Sequence, residues 1–318
     1  MKVFVTGGAG YIGTVLTNKL LWAGEEVKVI DSLVFGGQHI LDNLYTPGFQ
    51  LVHGSIAGIS KKMVHDCDAV VHLAAITFTH GDFMERQIMD VNYECTRRLV
   101  DLCKLQKKRL IFISTCSNYG EAGLATEESA LFPTNAYARS KTLAEKYVLE
   151  NLPSALVLRL ATVFGLSPRM RFDTTVNEFV LKAVSTGYLN VFNYDAWRPY
   201  IHVDDVTEAM LFFLGREDLS GVFNVGDDSL NVTKRELCET LKEYVPNLQV
   251  EMETTVNDPR NYRVCFDKLN EAGFKTKKSL RGGISELQSA LDRKVFLNPQ
   301  SDIHDNFKTY QKYYSANI

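Results

Sequence analysis

The sequence predicts an α/β protein: a doubly wound parallel sheet with a smaller, interleaved second lobe. Two observations predict it. Short, β-branched apolar runs alternate with longer amphipathic stretches through the first half, and after about Gly165 the alternation gives way to an irregular mixture. The 318 residues, 45% hydrophobic and 23% charged, are enough for a sizeable core and exclude disordered and fibrous classes.

The runs "KVFVT" (2–6), "EVKVID" (26–31), "FQLVH" (49–53), "AVVHLAA" (69–75) and "RLIFIST" (109–115) read as strands. They are continuously apolar rather than alternating, as strands covered on both faces should be. Helical patterns separate them at 11–23, 83–106 and 135–151, and "ALVLRLATVFG" (155–165) reads as a sixth strand. Strand–helix–strand repetition implies right-handed crossovers and helices on both sheet faces. Beyond this, 173–186 reads as a helix, "RPYIHVDDVTEAMLFFLG" (198–215) as a strand feeding a helix, and "GVFNVGD" (221–227) as another strand. Helices at 232–245 and 280–292, a short strand at 248–253 and an aromatic amphipathic tail at 307–314 complete the pattern.

A formal net charge of −3 leaves no electrostatic footprint for nucleic acid, so an anionic ligand has to be met by placed cations or helix N-termini. No apolar run is long enough to span a bilayer, and "MKVFVTGGAG" has no signal-peptide architecture. The six cysteines show no C-x-x-C pairing, so the expectation is a cytoplasmic protein with reduced thiols. Seven scattered histidines give no metal site.

The stretch "VTGGAGYIG" (5–13) joins the first strand to the first helix. Gly7, Gly10 and Gly13 fit G-x-x-G-x-x-G, while Gly8, Gly10 and Gly13 fit G-x-G-x-x-G, the Rossmann-type phosphate turn. Such a turn brings backbone N–H groups up to a pyrophosphate, and the helix beginning at Tyr11 and Ile12 points its positive end at the anion. Asp31 ends the second strand, where a carboxylate accepts from the adenosine ribose hydroxyls and repels the extra phosphate of NADP. No Arg or Lys follows in "DSLVFGG", so the reading is NAD. Residues 1–164 then form the dinucleotide-binding domain, to which 202–225 returns, and 165–318 form the mainly substrate-binding lobe.

With these motifs in order, the chain resembles the extended short-chain dehydrogenase/reductase family, in its NAD-dependent sugar-nucleotide epimerase/dehydratase branch. The matches run through "TGGAGYIG", "DSL", "HLAA" (72–75), "VN" (91–92), "STCSNYG" (114–120), "YARSK" (137–141), "RLATVFG" (159–165), "RPYIHVDDV" (198–206), "FNVGD" (223–227) and "DPRNYRV" (258–264). The resemblance implies cofactor contacts at Ser32 beside Asp31, at Ser55 and Ile56, at Leu73, Ala74 and Ala75, and at Asn92. It implies catalysis by Thr115, Tyr137 and Lys141. Lys141 lies one helical turn from Tyr137, where its charge can lower a phenol that titrates near about 10 when free. Thr115 would hydrogen-bond the reacting oxygen.

Departures from the family pattern narrow the reaction. Where 4,6-dehydratases follow the Thr with Asp-Glu, this chain has Cys116 and Ser117. The resemblance therefore points first to a sugar-nucleotide 4-epimerase. The alternative is a C4 dehydrogenase or ketoreductase; a 4,6-dehydratase or a non-catalytic NAD-binding protein ranks lower. For the substrate diphosphate and sugar it implies Arg198, Arg260, Arg263 and Asp258, with Arg169, Arg171, Asn177, Thr77, Cys116 and Ser117 as further contacts. Phe78 and His80 follow "HLAA" and are placed to line the sugar pocket. The helices at 83–106 and 135–151 match the pair that forms family homodimers.

Overall fold

The computed structural model describes residues 1–77, 84–253 and 260–315. In chain order the strands are β1 (Lys2–Thr6), β2 (Glu26–Asp31), β3 (Phe49–His53), β4 (Ala69–His72), β5 (Arg109–Thr115), β6 (Glu121–Ala125) and β7 (Leu156–Leu160). There follow β8 (Thr162–Phe164), β9 (Tyr188–Phe192), β10 (Trp197–His202), β11 (Gly221–Val225), β12 (Asn231–Thr233), β13 (Gln249–Glu253) and β14 (Asn261–Val264). The helices are α1 (Tyr11–Trp22), α2 (Lys61–His65), α3 (Glu85–Met89), α4 (Cys95–Leu105), α5 (Ala136–Asn151) and α6 (Thr175–Thr186). They continue with α7 (Val203–Leu214), α8 (Lys234–Lys242), α9 (Asp267–Glu271), α10 (Leu280–Asp292) and α11 (Asn306–Ser315).

Seven strands form one sheet in the order β11-β7-β5-β4-β1-β2-β3, every pairing parallel. This is the doubly wound arrangement expected. Alternate residues of each strand supply opposite faces: Val3, Val5, Ile111 and Ile113 join the cluster under α1 and α7, while Phe4, Leu110 and Phe112 join the one under α4 and α5. Such two-sided burial is why these strands read as continuous apolar runs. The strand order reverses between β1 and β4, so the crevice at their carboxyl ends is the ligand position of open α/β sheets.

Two expected elements are built differently. The run 155–165 breaks at Ala161: β7 stays in the large sheet, whereas β8 leaves it to pair with β10. The amide of Ala161 donates to Val225 O across the break. The helix expected at 83–106 is α3 and α4 joined by a π-helical turn at Asp90–Glu94. That wider turn carries Asn92, whose Oδ1 accepts from Ile76 N at 2.8 Å and whose Nδ2 donates to Ser140 Oγ at 3.0 Å. Its amide therefore pins the exit of β4 to α5.

The second lobe packs α6 and α10 with β8 and β10 around Phe164, Val180, Tyr200 and Ile284. Strands β6, β9, β12 and β14 went unread in the sequence because they are short and lie outside the large sheet, β6 pairing with β14, β9 with β13 and β12 with β10. No described helix is long and apolar enough to cross a membrane.

Candidate active site

The turn after β1 is shaped by what cannot fit beside it. Gly7 has φ +73°, and a Cβ there would lie 2.7 Å from Ala74 N; a Cβ on Gly13 would lie 2.1 Å from Gly7 O. Backbone thus crosses backbone at distances only glycine permits. Gly10 caps α1 without a side-chain hydrogen bond, leaving the first amides of the helix directed at the crevice. Beyond the turn, Asp31 accepts from Ala9 N at 3.0 Å and from Leu33 N at 2.8 Å. Burial raises its carboxyl above the usual range against the pull of those two amides.

The glycine turn opens into a cavity with about 1030 Å³ of free space, part of it continuous with solvent. Ile12, Asp31 and Ser32 lie along it, as do Ser55, Ile56 and the Leu73–Ala75 segment. A glycine cradle, an open helix N-terminus and a ribose-level carboxylate at a sheet switch point fit a dinucleotide. Tyr11 serves this site through its hydroxyl, which donates to Gly165 O at 2.7 Å and accepts from Asn177 Nδ2 at 3.1 Å. Asn177 is fully buried; its Oδ1 accepts from Gly165 N and its Nδ2 also donates to Arg171 O. Instead of facing a sugar, Asn177 ties the loop after β8 to the glycine turn.

The strand-end geometry is set by His72. Thr96 donates to Asn92 O and so accepts from His72 Nε2 at 2.8 Å, leaving Nδ1 to accept from Thr6 Oγ1 at 2.6 Å. Burial and then the charge of Lys141 push His72 down to about 3, which agrees with this neutral tautomer. Asn135 caps α5 by accepting from Ala138 N at 2.8 Å, which puts Tyr137 in the first turn and Lys141 one turn later.

Tyr137 and the Thr115 hydroxyl face each other. Burial pushes the phenol up to about 12 against the pull of the hydrogen bond from Thr115 and then of the Arg171 charge. Lys141, 3% exposed, places Nζ 4.0 Å above the Phe112 ring. Burial pushes its amine down to about 7, opposed by Glu145 one turn further on α5. The cation that pulls on the phenol is therefore Arg171, which the sequence did not disclose, rather than the Lys141 expected from the spacing.

That low amine value has a consequence for stability. Below about 7 the amine is charged in both states and its burial is costly in full; between about 7 and 10.5 folding releases a proton, so stability rises with pH. Denaturant midpoints from pH 7 to 9.5 should show wild type gaining on Lys141→Met. A difference independent of pH would contradict the assignment.

Behind this pair lies a buried ionic network. Glu145 accepts from Ser114 Oγ at 2.7 Å and from Arg159 Nε at 3.0 Å; Arg159 also donates to the Tyr119 hydroxyl at 2.8 Å. Cys116 is buried with its thiol donating to Arg159 O, so it turns away from the crevice toward this network; burial raises its pKa strongly. Ser117 stays nearer the surface, its amide donating to Thr115 Oγ1 at 3.1 Å and its side chain meeting Tyr262.

The arginines divide into two groups. Arg198 is 5% exposed, donates to Trp197 O and to Arg260 O, and stands over the Tyr262 ring. Arg263 is exposed and lies over Trp197. Together with Ser117 and Tyr262, these continue outward from Thr115. Arg169 and Arg171, read as substrate contacts, line the cavity above the glycine turn together with Gly7 and Asp31, as does Thr77. Arg171 forms a two-pronged pair with Asp173 at 2.9 Å and donates to Thr77 Oγ1 at 3.3 Å. Asp258, Phe78 and His80 lie outside the described residues.

The sequence profile of the NAD dependent epimerase/dehydratase family matches residues 3–226, which include the glycine turn, Asp31, Thr115, Tyr137 and Lys141. The chain belongs to this family.

As a member of the epimerase/dehydratase family it is an NAD-dependent enzyme. UDP-glucuronic acid decarboxylase 1 of Arabidopsis thaliana is 26% identical over 312 residues, 93% of this chain and 71% of the relative. The low-salt glycan biosynthesis protein Agl12 of Haloferax volcanii is 27% identical over 302 residues, 89% of this chain and 96% of that protein. Among solved structures, the UDP-glucuronic acid 4-epimerase from Bacillus cereus, in complex with UDP-glucuronic acid and NAD, superposes with a TM-score of 0.83. It is 23% identical, covering 92% of this chain and 99% of that one. At this identity the likeness establishes the fold. Decarboxylases and 4-epimerases both stand among these relatives, so the reaction type is broader than the 4-epimerase first expected.

Asp31→Ala should weaken NAD binding about 10- to 100-fold, the effect of hydrogen bonds to a charged group, while changing NADP binding only a few-fold. Titration of each cofactor by fluorescence checks this; equal losses would remove the ribose contact.

Proposed function

We propose that this enzyme oxidises C4 of a nucleotide-diphosphate sugar with bound NAD and reduces it again from the opposite side, acting as a sugar-nucleotide 4-epimerase. The observation that carries the proposal is Tyr137 facing the Thr115 hydroxyl at the carboxyl end of β5, with Arg171, a wall of the cavity above the glycine turn, acting on the phenol and Lys141 one turn along α5 over Phe112. Bound there, nicotinamide supplies a two-electron acceptor and a positive charge. Thr115 and Tyr137 receive the C4 hydroxyl, and Tyr137 takes its proton as the carbon is oxidised. The same phenol returns the proton when the ketone is reduced. Ser117, Tyr262 and the Arg198–Arg260 pair extend from this point toward the diphosphate, for which guanidinium groups are suited. Residues 1–164 with 202–225 then serve mainly the cofactor, and the remainder mainly the sugar nucleotide. A homodimer through α4 and α5 is the expected assembly.

The residue after Thr115 bears on the outcome. Elimination of water needs an acid placed beside the ketone, and Cys116 is a buried thiol directed at Arg159 O. Decarboxylation is the second reading, favoured by the plant relatives of that name. A C4 ketone lies β to a C6 carboxylate, so the same first step would suffice. Incubation with UDP-, GDP-, CDP- and dTDP-sugars, uronic acids included, followed by NMR, separates these readings. A C4 stereoisomer without net cofactor reduction supports epimerisation; a pentose product with released CO₂ supports decarboxylation. Net accumulation of NADH identifies a dehydrogenase. No turnover of any sugar by NAD-loaded protein would overturn the proposal.

A further inference from the structure

Helix α11 lies against the dinucleotide cavity, a destination that the amphipathic pattern of 307–314 did not specify. Tyr310 is 9% exposed and meets Phe35 edge-on at 5.2 Å, and the Arg169 guanidinium lies 3.7 Å from the Phe35 ring centroid on the same residue. Tyr310, Tyr313 and Tyr314 line the same cavity as Gly7 and Asp31. The helix is tethered at its start: Asn306 Nδ2 donates to Thr77 Oγ1 at 2.7 Å, and Asn306 N donates to Asp173 Oδ2 at 3.0 Å. Asp173 is the carboxylate that clamps Arg171.

Two cavity-lining side chains are incompletely satisfied. Arg169 Nε and Asn306 Oδ1 are buried and have no hydrogen-bond partner among the described residues, and each side chain belongs to a residue only 4% exposed. Burial, then the charge of neighbouring Arg171, pushes Arg169 down to about 9. A buried donor left without a partner is destabilising. A ligand with anionic oxygens and hydroxyl donors would satisfy both atoms, and a dinucleotide carries both.

We propose that Arg169 and helix α11 complete the cofactor site: Arg169 donates to an oxygen of the dinucleotide, Asn306 accepts from one of its hydroxyls, and the tyrosines cover the cavity so that the cofactor is retained between turnovers. The proposal rests on the NAD reading of the glycine turn. Retention suits a reaction that oxidises and re-reduces one carbon, because no exchange of cofactor is needed.

The test measures release rather than turnover. Wild-type protein is loaded with NADH and chased with excess NAD while NADH fluorescence is followed. Arg169→Met keeps the side-chain bulk and removes the donor; Tyr313→Ala opens the cover at a residue 43% exposed, outside the core. Each should release NADH about tenfold faster, the equivalent of one lost contact, and should lose part of the NAD-induced rise in Tm. Circular dichroism should match wild type. Release within twofold of wild type in both variants, with normal NADH binding, would overturn the cover alone. Failure of wild type to bind NADH at all would bring down the dinucleotide reading and this proposal with it.

Discussion

Tyr137→Phe is expected to lower kcat by about 10²- to 10⁴-fold, the range for loss of a positioned general base, while NAD affinity stays within a few-fold. The phenol is the group opposite Thr115, and Phe preserves its packing while removing the oxygen that would take the proton. The wild-type pH profile should reveal how the phenol is tuned. Burial holds it up at about 12 even with the largest opposing pull, the Thr115 hydrogen bond, in place. Thr115→Ala should therefore shift the rising limb of kcat/KM to higher pH. Undiminished turnover in Tyr137→Phe would remove the assigned base, and an unmoved profile in Thr115→Ala would remove its tuning partner.

The second large effect is on stability. Arg159→Met should cost about 3–5 kcal/mol, because it strands the Glu145 carboxylate in the interior. The two side chains are 5% and 3% exposed, and the pair joins β7 to α5 two turns along the helix from Tyr137. The double variant Arg159→Met/Glu145→Leu should recover a large part of that loss, since neither charge then stays buried without its partner. Chemical denaturation of the three variants provides the comparison. A single-variant loss under about 1 kcal/mol would mean that water or relaxation solvates Glu145, and the network would not hold the site.

The two effects live on different links of the same chain of causes. Tyr137, Lys141 and Glu145 succeed one another by four residues on α5. The first faces the Thr115 hydroxyl, the second lies over Phe112, and the third is fastened to Ser114 and Arg159. A helix face thus carries the phenol oxygen at one end and its structural anchor at the other. The packing that makes the anchor costly to break is the packing that fixes the phenol opposite Thr115.

The parallel sheet, the glycine turn, Asp31 and the spacing of Tyr137 and Lys141 were legible in the chain alone. Each depends on contacts between residues close in sequence or on a periodicity that burial on both faces imposes. Asn92, Asn177 and Cys116 were read as cofactor or substrate contacts, yet their polar atoms are spent on Ile76 and Ser140, on Gly165 and Tyr11, and on Arg159 O. Nearness is readable from a motif; which way a side chain turns depends on what the neighbouring elements offer it. Arg169 and Arg171 show the same limit, because the loop after β8 is redirected when that strand leaves the large sheet for β10. The stripe of aromatics in α11 announced a face to be buried, but an amphipathic pattern names no partner. Only the closing of the chain brought Tyr310 to Phe35 and Asn306 to Thr77, contacts separated by more than two hundred residues, and so made a segment without apparent chemistry a wall of the cavity above the glycine turn.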